Sequence, residues 1–141
     1  MLYAAKSAFG YGYPNYDPQA LAEKVCQQRG WDLQKVKFYT GVPDVNDDPF
    51  WHNFWTRKIV VMGQKGVSIY SRKLSYRNQT VSLPNGQAHT FLVGQEKGID
   101  VRIALDIIRV TLENMYDVCL VFSQDQDLSE VADEVRIIAH D

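Results

Sequence analysis

Asp100, Asp125 and Asp127 are the residues of this chain whose types and spacing could do chemistry. They lie in one stretch from Glu96 to Asp127, EKGIDVRIALDIIRVTLENMYDVCLVFSQDQD. The stretch reads as an acidic helix start, an apolar helix, a buried-looking strand and two aspartates at the strand's end. The expected arrangement brings the three carboxylates together where the carboxyl end of a parallel strand faces a helix terminus, the usual place for a ligand in an open α/β sheet. Several carboxylates with no cation near them in sequence suit a hard divalent metal, and with it phosphodiester chemistry.

The elements that must position these residues follow from pattern. Asp17-Pro18 starts a helix with a cap and a proline at the first helical position, and Gly30 closes it. Val36 to Thr40 alternates as a strand. Phe50, Trp51, Phe54, Trp55, Ile59 and Met62 recur at helical spacing between Asp47 and Gly63. A strand runs from Val67 towards Leu74, and Thr80 to Val93, with Pro84-Asn85-Gly86 inside it, reads as a hairpin. The second half predicts a helix over Asp100 to Asn114, a strand over Asp117 to Phe122, a short helix over Asp127 to Glu134 and a strand over Val135 to Ala139. Leu2 to Phe9 can continue a helix, though the segment opens without a cap or a preceding strand. Alternating strand and helix imply an α/β fold with a mainly parallel sheet flanked by helices. With no linker or repeat, the expectation is a single domain over 1–141.

Each site residue also has a plainer explanation. Asp127 can cap the helix that follows it, and Asp125 can sit in a turn. Asp100 before an apolar helix is an ordinary cap that suits the helix dipole. Arg102, Asp106, Arg109 and Glu113 fall on one polar stripe, so a solvated Arg–Asp pair accounts for Asp106, leaving it a second-rank metal contributor. Lys97 can neutralise phosphate or be solvated. Arg72, Lys73 and Arg77 form the best local basic cluster, able to track a nucleic-acid backbone. The aromatic run Phe50 to Trp55 reads as core, or as a dimer surface if exposed.

Composition narrows the classes. A formal charge of −2 is not that of a basic nucleic-acid module, so nucleic-acid binding would need a local patch. The three histidines, His52, His89 and His140, lack ligand spacing for zinc. Walker, dinucleotide-binding and nucleophile-elbow motifs are absent. Cys26 and Cys119 read as small buried hydrophobes rather than disulfide or metal partners. No apolar run approaches the ~20 residues of a membrane span. The start, rich in Gly and Tyr, does not read as a signal peptide; nothing in the cysteine usage requires an oxidising compartment, so the default location is the cytoplasm.

Taken together, Glu96-Lys97-Gly98-Ile99-Asp100-Val101, Ala104-Leu105-Asp106, Tyr116-Asp117 and Ser123-Gln124-Asp125-Gln126-Asp127 resemble the NYN family, a branch of the PIN-like nucleases that includes the LabA-like proteins. Weaker likeness extends through Tyr39 to Pro43 and Arg72 to Leu74 towards the N-terminus. The resemblance implies a three-layer Rossmann-like fold and a Mg²⁺- or Mn²⁺-dependent ribonuclease. It implies Asp100, Asp125 and Asp127 as catalytic, metal-binding carboxylates with Asp106 nearby, and Lys97 and Ser123 as aids in positioning RNA. The sequence departs from the family pattern in three places. The first strand and its aspartate have no counterpart before Met1-Leu2-Tyr3, Gln124 stands where the family has Gly, and Leu128 replaces Phe. A missing central strand leaves apolar neighbours and backbone groups uncovered, so a longer natural chain or a homodimer is expected.

Overall fold

The strand predicted near Val36 to Thr40 is β1, Lys37–Val42. A helix, α2, Pro49–Gln64, crosses from it to β2, Ser68–Lys73. β1 and β2 pair in parallel, Lys37 opposite Ser68 and Val42 opposite Lys73, so the three elements make one βαβ unit. Asp48 starts α2 by accepting a hydrogen bond from the Trp51 amide at 3.1 Å, with Pro49 in the first turn. Helical spacing brings Trp55 down onto β1, where its ring lies 6.1 Å from that of Phe38. Trp55, Met62, Val67 and Ile99 are the buried large apolar side chains among the described residues.

These features belong to a computed structural model that describes Gly10 and residues 15–123 and 125–140. The helix-compatible segment Leu2 to Phe9, and Gln124, lie outside the described residues. The rest divides into two compact units, one of Lys37–Ile99 and the other of the segments on either side of it.

In the first unit, β2 runs on through Leu74, whose amide donates to the Val42 carbonyl at 3.0 Å. A hairpin follows, β3 (Ser75–Ser82) and β4 (Ala88–Gln95), antiparallel with Ser75 opposite Gln95 and Ser82 opposite Ala88. The predicted Pro84-Asn85-Gly86 turn closes it, the Leu83 amide donating to the Gln87 carbonyl at 2.8 Å. Gly41 has a close-approach role. Its amide donates to Glu96 Oε1 at 2.9 Å, and a Cβ there would stand 2.7 Å from Glu96 Cγ and collide with Leu74. Glu96 is thereby tied to the end of β1 just before the acidic stretch begins.

In the second unit, α1 (Pro18–Arg29) is capped by Asp17, which accepts from the Gln19 amide at 3.0 Å, and is closed by Gly30 as predicted. α3 spans Ile99–Leu112. Asn114 ends it in the left-handed conformation (φ 49°), and the Met115 amide donates to the Val110 carbonyl. α4 spans Leu128–His140.

Three expectations are corrected. Residues 117–122 belong to no sheet among the described residues, and Val118, Leu120, Val121 and Phe122 are exposed. A strand exists only through a pairing partner, which an apolar run cannot supply by itself. The strand predicted over Val135 to Ala139 is instead the second half of α4. Leu128, Val131, Val135 and Ile138 keep helical spacing, no Gly or Pro interrupts them, and β-branched content does not override that period. The architecture is therefore α/β with helices and two small sheets, β1–β2 parallel and β3–β4 antiparallel. A broad, mainly parallel sheet covered on both faces is not seen among the described residues.

Candidate functional site

Asp125 and Asp127 lie in the loop between the irregular segment 117–123 and α4. The loop is built from its own polar groups. The Asp125 amide donates to Ser123 Oγ at 3.0 Å, and the Asp127 amide donates to Asp125 Oδ1 at 2.9 Å. The Ser129 hydroxyl donates to the Gln126 carbonyl at 2.7 Å. Asp125 thus forms a side-chain turn of the kind aspartate favours. That turn is compatible with a ligand role, because only one carboxylate oxygen is engaged by it. Asp125 is half-buried and Asp127 exposed.

Asp100 stands in the first turn of α3 and is exposed. The turn before it depends on Gly98, whose φ is +72°, and on Arg72, whose Nη1 donates to the Lys97 carbonyl at 3.2 Å. Arg72 also donates through Nε to the Tyr70 hydroxyl at 2.8 Å, so this candidate phosphate ligand is also a strut for the Lys97–Gly98 turn. A Cβ at Gly98 would sit 2.6 Å from Arg72 Nη1. Gly98→Ala therefore combines a left-handed alanine with a displaced guanidinium. It should cost about 1–2 kcal/mol for the backbone alone, read as a lower midpoint in thermal unfolding; an unchanged midpoint would show the turn to be pliant.

Asp106 departs from the solvated stripe expected of it. It is 7% exposed and bonded to Arg102 at 2.8 Å, whereas the next pair along the helix, Arg109–Glu113 at 2.9 Å, lies at the surface. The Glu113 carboxylate raises the pKa of Arg109 further above its ordinary value. Of the basic cluster, Lys73 bonds Asp44 at 3.2 Å. The Asn46 amide, then Lys73, hold the Asp44 carboxyl below the usual range. Arg77 is exposed on β3.

A groove of about 450 Å³ adjoins Asp125, lined by Ile107, Cys119, Val121 and Ser123 and by Leu128, Val131, Val135 and Arg136 of α4. Its lining is mainly apolar with Ser123, Asp125 and Arg136 as polar members, which suits a ligand with both characters. Arg136, held by Asp133 at 2.7 Å, is the cation that sequence reasoning missed. The helical spacing of Leu128, Val131 and Val135 was the signal for it. Cys119, expected to be buried, is exposed, and Cys26 is half-exposed; neither is in a disulfide. The aromatic run is mixed, with Trp55 buried, Trp51 and Phe54 half-buried and Phe50 58% exposed.

A family profile described as the NYN domain matches residues 2–138, nearly the whole chain and all of the acidic stretch. The chain belongs to the NYN family. No curated protein and no solved structure gives a significant match. The NYN family is generally one of nucleases, typically served by divalent metals, so this chain is a ribonuclease-like domain. No helix among the described residues is long and apolar enough to cross a membrane.

The donors fit such a metal in kind more fully than in number. Among the described residues, no three of His, Cys, Asp and Glu are grouped to hold an ion. A magnesium-type ion, however, keeps several waters and takes only one or two carboxylates, with substrate phosphates completing its shell. The Ser123–Asp127 loop offers two carboxylates in this chemistry.

Proposed function

We propose that this NYN domain is a metal-dependent endoribonuclease, with Asp125 and Asp127 as its principal metal-binding carboxylates and Asp100 as the third. The family match through the whole acidic stretch carries the reading. The self-bonded loop around Asp125 supports it, because a ligand carboxylate needs a fixed position. Mg²⁺ or Mn²⁺ bound there would polarise the scissile phosphate and lower the pKa of a bound water. Ser123 fixes the Asp125 backbone through its hydroxyl. Lys97, Arg72, Lys73 and Arg77 are the candidate RNA contacts. Asp106, buried against Arg102, serves the acidic stretch as a structural anchor more readily than as a ligand.

A second reading is favoured by one observation, the lack of any three grouped ligands among the described residues. On that reading the domain binds RNA or a protein partner and cleaves poorly. Incubating an end-labelled single-stranded RNA with Mn²⁺, Mg²⁺ or EDTA separates the two. Cleavage with metal and none in EDTA is expected. RNA retained intact under all three conditions would favour the binding module. A homodimer covering the exposed Val118 to Phe122 run belongs to the same proposal and is read by light scattering.

A further inference from the structure

The chain's charge is unevenly divided. From Pro49 to Gln95 there is no Asp or Glu, while Arg57, Lys58, Lys65, Arg72, Lys73 and Arg77 fall in that span. The other nine Lys and Arg are set against all seventeen acids. A net charge of −2 thus conceals a cationic third of the chain that includes β2 and the whole β3–β4 hairpin.

The hairpin's two faces differ. Arg77 pairs with Val93, Gln79 with Phe91 and Val81 with His89. Directly opposed residues share a face, so these six lie on one side of the ribbon. On that side the His89 and Phe91 rings stack, centroids 6.0 Å apart and planes 24° from parallel. Phe91 is 40% exposed. Arg77 is diagonal to Phe91 in the register, exposed, and has no salt bridge among those found for the described residues. An isolated two-stranded ribbon is only marginally stable in water, and an exposed aromatic pair on it is a surface that a partner can cover.

We infer that this face of the β3–β4 hairpin grips single-stranded RNA, its bases stacking on Phe91 and His89 and its phosphates on Arg77; the inference rests on RNA being the substrate. Flat rings accept any base, and an adjacent arginine adds the sequence-independent phosphate term. Charge complementarity selects the occupant, because no carboxylate on the hairpin repels a polyanion. Bases in a duplex are already stacked, so the platform discriminates against double strands.

The test is fluorescence anisotropy of a labelled single-stranded RNA with the full chain in EDTA, so that cleavage does not enter. Phe91→Ala should weaken binding about ten-fold or more, and Phe91→Leu, which keeps apolar bulk, should weaken it nearly as much. Arg77→Ala should lower the slope of log affinity against log salt by about 1. An abasic oligomer should be insensitive to either Phe91 change. The unmodified chain is assayed for cleavage with Mn²⁺ in parallel, so a failed nuclease reading would appear as absent cleavage beside intact hairpin binding. Equal binding by the Phe91 and Arg77 variants, duplex RNA bound as well as single strands, or no RNA binding by the unmodified chain would each overturn the inference.

Discussion

Asp125→Asn should reduce metal-stimulated RNA cleavage by at least about 100-fold, the upper end of what outer-shell partners of a metal site contribute. The substitution is informative because of the local geometry. The Asp127 amide donates to Asp125 Oδ1 at 2.9 Å, and asparagine keeps an oxygen for that bond. The turn survives while the charge is removed, so thermal unfolding should scarcely move. Asp127→Asn should behave similarly. Asp106→Asn should do the opposite, because it removes the buried carboxylate that bonds the half-exposed Arg102. Its loss should appear as a lower unfolding midpoint with metal affinity retained. Measured together by single-turnover cleavage, metal titration and thermal denaturation, the three variants separate ligand from anchor. Cleavage by Asp125→Asn at the unmodified rate would place the metal site elsewhere.

Trp55→Ala should be the most damaging single change to stability, costing about 3–5 kcal/mol. Trp55 is 9% exposed, and its ring faces Phe38 of β1 at 6.1 Å and Phe54 edge-on at 5.4 Å. It therefore joins α2 to β1 directly. A buried aromatic removes on the order of 150–250 Å² from water, and few apolar side chains are buried among the described residues. Each one consequently carries a larger share of the stability than it would in a bigger core. Denaturant unfolding should show the loss as a lower midpoint with an unchanged slope. Trp55→Phe, which keeps a ring against Phe38, should cost much less. A Trp55→Ala loss under about 1 kcal/mol would mean that the α2–β1 contact is not the core of its unit.

Local signals were legible in the sequence wherever they were sufficient by themselves. Asp17-Pro18 starts a helix because a carboxylate can satisfy amides a few residues away. The Pro84-Asn85-Gly86 turn and the helical spacing of the aromatic run act over similarly short distances. The acidic stretch and its family pattern are properties of residue order, so the NYN assignment could be read before any coordinates were considered.

Tertiary structure decided what depends on a distant partner. Val118 to Phe122 has the composition of a buried strand, but a strand is a property of two segments, and no described segment pairs with it. α4 absorbs Val135 to Ala139 because an unbroken helical period outweighs β-branched content. The burial of Asp106, the bond from the Gly41 amide to Glu96, and the engagement of Arg72 at the Lys97 carbonyl join elements whose separation the sequence does not encode. The types of the site residues were set by the sequence, whereas which of them are tied down and which stay exposed was set by packing, since that depends on the groups folding brings beside them.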